Sequence, residues 1–202
     1  MKSKRRLLFT LAFAICFFGL QTTFAQDTPK TAGAPQVKFV TNMGEFVVEV
    51  YPDKAPKTAE NFLQYVRDKH YEGTIFHRVI ANFMIQGGGY DARYIERPTR
   101  APVMHEGVEA LSKGGPRNTV GTIAMARTNA PHSATAQFFI NVVDNGFLDP
   151  SPQQPGYTVF GKVVSGMDVV NRIRAIPTGS GGPFPTDVPR TPVVIKSATV
   201  LP

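Results

Sequence analysis

The chain has no tryptophan and a single cysteine, Cys16, among 202 residues. One thiol cannot close an intrachain disulfide, so a disulfide scaffold and a cysteine-based zinc site are both excluded. The four histidines, His70, His77, His105 and His132, form no HxxxH or HExxH pair, so no metal is expected. Gly87-Gly88-Gly89 leads into neither a GxGxxG nor a GK[ST] pattern, which argues against a phosphate cradle and a nucleotide cofactor. Ser133 and Ser165 lie in no GxSxG elbow, and no pair of carboxylates stands out. Nucleophilic, metal-assisted and two-carboxylate chemistry therefore lack a carrier, and no cofactor is expected. Charge is sparse too, at 18% of residues. What is present is an apolar fraction of 42%, with 15 Phe, 18 Gly and 17 Pro. That composition suits one folded domain with a core, not a disordered chain or a helical rod.

The N-terminus reads as an address. Lys2, Lys4, Arg5 and Arg6 precede an uncharged run from Leu7 to Leu20, and small residues surround Ala25. This is the layout of a secretory signal peptide over residues 1–25, cleaved after Ala25. A retained anchor is the competing reading, but the run is short of the roughly 20 apolar residues that span a bilayer. Lipoprotein processing is disfavoured because the bulky Ile15 precedes Cys16. Formal net charge is +7, from 22 basic and 15 acidic residues; loss of four basic residues with the leader leaves 18 against 15, or +3. The remaining cations, among them Lys54, Lys113, Lys162 and Arg190, are scattered, so nucleic acid is not an expected partner. The processed chain carries no thiol, which suits an oxidising compartment. A periplasmic protein that leaves the membrane after cleavage is the expectation, most simply a monomer.

Residues 26–36 read as a flexible lead-in and residues 37–202 as one domain. Val37–Thr41 and Glu45–Val50 predict a hairpin around Asn42-Met43-Gly44. Pro56 opens a helix running to about His70, on which Ala59, Phe62 and Val66 share a face, and a second short helix fits Met167–Arg174. Further strands are predicted at Phe76–Ile80, Phe83–Gly87, Thr122–Ala126, Phe138–Val142, Thr158–Val163 and Val193–Val200. Eight strands and two helices point to a mainly β fold, a barrel or sandwich capped by helices. Two long loops remain, about Tyr90–Thr119 and Thr178–Pro192. In Gln137-Phe138-Phe139-Ile140-Asn141, alternation puts Phe138 and Ile140 on a core face. Gln137, Phe139 and Asn141 take the other face. Amides beside a bulky aromatic fit a peptide-binding groove, and Met84 and Gln86 likewise share one face; a second packing layer around Phe139 and Met84 is the plainer alternative.

The stretch Phe76-His77-Arg78-Val79-Ile80-Ala81-Asn82-Phe83-Met84-Ile85-Gln86-Gly87-Gly88 closely resembles the signature of the cyclophilin family of peptidyl-prolyl cis–trans isomerases. Gly121–Ala126, Gln137–Ile140, Phe147-Leu148-Asp149 and Val159–Val163 follow in the family's order, and the whole is most similar to the exported bacterial branch. The resemblance implies a closed eight-stranded antiparallel barrel with two helices and an active groove on its outer surface. It implies a catalytic role for Arg78, a proline pocket at Phe83, Met84, Phe139 and Leu148, and substrate contacts at Gln86, Ala126 and Gln137. Phe147, Tyr157 and Arg127 stand where the best-known eukaryotic members carry Trp, His and Asn, and are counted with the substrate-binding set. Phe147 offers an aromatic wall without an indole N–H, so cyclosporin is expected to inhibit only weakly. The implied partners are proline-containing segments of folding exported proteins. A chaperone that holds such segments without catalysis is the alternative; a lipocalin-like carrier is disfavoured, since Phe138 and Ile140 fill the barrel.

Overall fold

The structure is a computed structural model that describes residues 33–202. The expected signal peptide and residues 26–32 of the lead-in lie outside the described residues. The remainder of that lead-in is not loose: Pro35 accepts a hydrogen bond from Val50 N at 2.8 Å, and Gln36 already belongs to a strand.

The main sheet follows from alternating sequence. β1 (Gln36–Thr41) turns at Asn42-Met43 into β2 (Gly44–Val50), each burying every second residue. β3 (Arg78–Ile80), β4 (Met84–Gly87), β5 (Thr122–Met125), β6 (Phe138–Asn141), β7 (Val159–Ser165) and β10 (Ile195–Val200) complete eight antiparallel strands. Their order is β10-β1-β2-β7-β5-β6-β4-β3. The expected closed barrel is corrected to a curled half-barrel, because no ladder joins the edge strands β10 and β3. Only Gly73–Phe76 and Val193–Ile195 exchange backbone hydrogen bonds there, around the single bridge Ile75–Val194.

Helix α1 (Pro56–Arg67) lays Phe62 into the concave side, 4.9 Å from the Phe160 ring and 6.1 Å from Phe138. Phe39, Phe46, Phe76, Tyr65 and Tyr71 fill the rest of this interior, all fully buried. Aromatic side chains occupy the space a lipocalin-type ligand needs. α3 (Met167–Arg174) starts at Gly166, whose φ of 82° is left-handed, and buries Val169, Val170 and Ile173.

Both loops expected to lack structure contain some. The first carries α2 (Gly107–Ser112), making three α-helices among the described residues where the sequence suggested two. The second is a hairpin of β8 (Thr178–Gly181) and β9 (Phe184–Pro189). Its glycines, prolines and threonines hide the alternation that betrays a strand.

Candidate active site

Strand register builds the site on the convex side of the sheet. Arg78 of β3 faces Gln86 of β4, Gln86 faces Phe139 of β6, Phe139 faces Ala124 of β5, and Ala124 faces Val159 of β7. Directly paired residues point to the same side, so five strands contribute one row of side chains. The neighbouring row runs Ile80, Met84, Asn141. Met84, Ala124, Phe139 and Val159 form an apolar cluster of their own, separate from the core, with Ile80, Phe83, Ala126, Leu148 and Tyr157 against it. The second packing layer is therefore real, and it is also the floor of a cleft.

That cleft, about 240 Å³, is lined by Arg78, Phe83, Met84, Gln86, Ala126, Arg127, Phe139, Leu148 and Tyr157. Nine of the eleven residues singled out from the sequence thus meet at one place. The other two lie at its border. Gln137 accepts a 3.0 Å hydrogen bond from Gln86 Nε2 and lines an adjoining hollow with Thr128, Ser133 and Glu96. Phe147, 64% exposed, stacks on Phe83 with ring centroids 5.6 Å apart. Asn141 is the exception to the expected groove face. It is fully buried and donates to Asn118 and Thr122, while Asn145 bonds both Asn141 and the Phe83 carbonyl. Asp149 accepts from the backbone N and side chain of Asn118 at 2.8 and 3.0 Å. This buried network fixes the turn carrying Phe147 and Leu148, and no periodic signal marked it in the sequence.

The two guanidiniums at the cleft differ in their engagement. Arg127 is tied down: Nε and Nη2 donate to the Gly156 carbonyl at 3.1 and 2.7 Å, and Nη1 donates to Thr128 O. Its carbon lies 4.6 Å above the Tyr157 ring, itself edge-on to Phe139 at 5.4 Å. Arg127, expected beside the substrate path in place of a shorter amide, thus forms with Tyr157 a wall built of cation and ring. Arg78, 45% exposed at its side chain, makes no hydrogen bond among the described residues and has one ionic neighbour, Asp187. It is the cation left with donors to offer.

Beside it, His77 is buried and its Nδ1 has no partner among the described residues. Burial, then the Arg78 charge, push its pKa down to about 4, against a backbone hydrogen bond at Ile75 that raises it. A neutral imidazole there leaves Arg78 the adjacent positive charge. No group of three or more metal-ligating side chains occurs among the described residues.

A curled antiparallel sheet with a convex apolar cleft, an arginine without a hydrogen bond at its edge and amides alongside defines a mainly β protein with a surface groove. Comparison with known proteins gives the family. The profile of the "Cyclophilin type peptidyl-prolyl cis-trans isomerase/CLD" family matches residues 36–200, and the chain belongs to that family of enzymes. It is 52% identical over 167 residues to peptidyl-prolyl cis-trans isomerase B of Escherichia coli (strain K12), covering 81% of this chain and 98% of that one. It is 41% identical over 197 residues to peptidyl-prolyl cis-trans isomerase A of Dickeya dadantii (strain 3937), covering 98% of each. Among solved structures, a Cryptosporidium parvum cyclophilin crystallised in the presence of the dipeptide Ala-Pro has a TM-score of 0.65 at 24% identity, covering 83% of this chain and 99% of that one. At that identity the likeness concerns the fold.

Proposed function

We propose that this cleft isomerises X–Pro bonds in proline-containing segments of exported proteins, with Arg78 as its catalytic residue. The barrier to rotation is about 18–20 kcal/mol because the C–N bond has partial double-bond character. No covalent bond breaks, so the reaction needs no nucleophile, metal or cofactor. As the amide twists, the proline nitrogen becomes pyramidal and recovers a lone pair. A guanidinium that donates to this nitrogen stabilises the twisted state and gains nothing in either planar state, so the interaction accelerates the step. Arg78 suits this task, being permanently charged and, among the described residues, engaged by no side-chain hydrogen bond.

The Met84, Phe139 and Leu148 floor accepts the pyrrolidine ring, while Gln86, Gln137 and the Ala126 backbone hold the flanking peptide. A rate gain of about 10⁵ needs roughly 7 kcal/mol. One preorganised charged donor supplies about 3–4 of that, and orientation in the cleft the rest. Phe147 carries no polar hydrogen, which supports the reading that cyclosporin inhibits weakly.

The observation that carries the reading is the row Arg78–Gln86–Phe139, which sets a cation, an amide and an aromatic side by side across three strands. Its test is NMR exchange on an Ala-Pro peptide with wild type and Arg78→Ala. Exchange should fall by about 10²–10³-fold in the variant, with the thermal melt unchanged. Equal exchange in both removes Arg78 from the mechanism. Binding without accelerated exchange in the wild type makes the protein a holder of proline segments.

A further inference from the structure

The hairpin β8–β9 meets the cleft at one point, where Asp187 Oδ2 lies 3.8 Å from Arg78 Nε. That is ion-pair range, longer than a hydrogen bond. Two independent features hold the carboxylate there. The hairpin is anchored by Phe184, whose ring stacks on His77 at 5.3 Å and meets Tyr90 edge-on at 5.1 Å. Its tip fits closely around Tyr94, since a Cβ added at Gly181 would lie 2.6 Å from the Tyr94 hydroxyl. Asp187 itself has φ of 66°, the left-handed region that side-chain-bearing residues other than Asp and Asn seldom occupy. The backbone there is turned so that a short acid stands beside the arginine.

An arginine on an open surface samples many rotamers, and each wrong one withdraws its donors from the reacting nitrogen. A carboxylate on the Nε side restricts that freedom and leaves the two terminal nitrogens uncommitted. We propose that Asp187 is a positioning residue for Arg78, fixing the guanidinium so that its terminal N–H groups serve the cleft. The proposal rests on the catalytic role assigned to Arg78 above. No signal in the linear sequence joins these residues, which lie far apart in the chain and meet only through the hairpin's docking.

The left-handed backbone selects the variants. Asp187→Asn keeps size and conformation and removes the charge; Asp187→Gly keeps the conformation and removes the side chain. Each is compared with wild type, with Arg78→Ala and with the double variant Arg78→Ala/Asp187→Asn on the Ala-Pro peptide, alongside thermal melts. Both Asp187 variants should lose kcat by about two- to fivefold, the size expected of a half-exposed ion pair, with KM and melting temperature nearly unchanged. Adding Asp187→Asn to Arg78→Ala should change nothing further, because the group it positions is gone. Wild-type kcat in both Asp187 variants, beside an impaired Arg78→Ala, overturns this proposal alone. An equal loss with and without Arg78 also overturns it, since the acid then acts through the hairpin. Should Arg78→Ala keep full activity, the catalytic reading of Arg78 falls and the positioning role with it.

Discussion

Burial and contact, rather than residue type, separate the basic side chains around this cleft. Arg127 spends its donors on the Gly156 and Thr128 carbonyls and its face on Tyr157, while Arg78 keeps its own. His77, next to Arg78 in the chain, is a base that stays neutral through burial. The unfolded chain takes up a proton at His77 near pH 6.5, the folded protein only near pH 4. Acid therefore favours unfolding: stability is full above about pH 6.5 and falls progressively toward pH 4, by about 3 kcal/mol for a gap of that size. His70 and His105, also lowered chiefly by burial, act in the same direction. Thermal melts across pH 4–7 should show the decline, and His77→Phe should flatten part of it. An unchanged acid slope in that variant would assign the loss to other groups.

Among elements, α1 illustrates how a helix is completed from a distance. Its N-cap is Ala55, which offers no side-chain acceptor. The buried carboxylate of Glu106 takes that place, accepting from Lys57 N at 3.1 Å and from Thr58 N and Oγ1 at 2.7 Å. The helix N-terminus supplies the positive field that keeps a buried carboxylate tolerable. Glu106 N in turn donates to Thr158 Oγ1, next to Tyr157 at the cleft, so one residue joins α1, the long connection and the segment leading into β7. Glu106→Ala should cost about 2–4 kcal/mol by urea denaturation, since it strips charge-assisted hydrogen bonds and leaves buried donors unpaired. Glu106→Gln should cost less, as one acceptor oxygen survives. A loss below about 0.5 kcal/mol in the alanine variant, the size of an ordinary surface change, would mean that water or another acceptor caps α1. The same bonds, with Arg97 donating to the His70 carbonyl and Arg100 paired to Asp68, fasten the long connection to the body. Elements with clean periodicity were the most legible: β1 and β2 to within a residue, and α1 from its start at Pro56, although it was expected to run to about His70 and ends at Arg67. The β8–β9 hairpin and the six-residue α2 were not, because so few residues carry no repeat to read.

At the scale of the whole molecule, two surfaces of one sheet have separate tasks. The concave face is filled with aromatic rings and supplies the core. The convex face carries a smaller apolar cluster that stays partly open. Export is part of the proposed function, and the leader expected at residues 1–25 is the feature that supports it. The prediction is that protein recovered from the periplasm begins at Gln26, as N-terminal sequencing or intact mass would reveal. Met1 retained on that protein would overturn cleavage, and recovery in the cytosolic fraction instead would overturn the periplasmic proposal.

Linear sequence determined the alternation that makes the strands, the side of each strand that is apolar, and the chemistry available at the cleft. Those follow from residue type and spacing, which act locally. It also carried, through ordered motifs, nearly the full set of cleft residues. Tertiary structure alone decided that the sheet stops short of closure, that Arg127 is bound to carbonyls while Arg78 is not, and that Glu106 and Asp187 serve segments far from them in the chain. Each of these depends on which groups compete for one donor or one cavity after folding, and that competition has no periodicity to leave in the sequence.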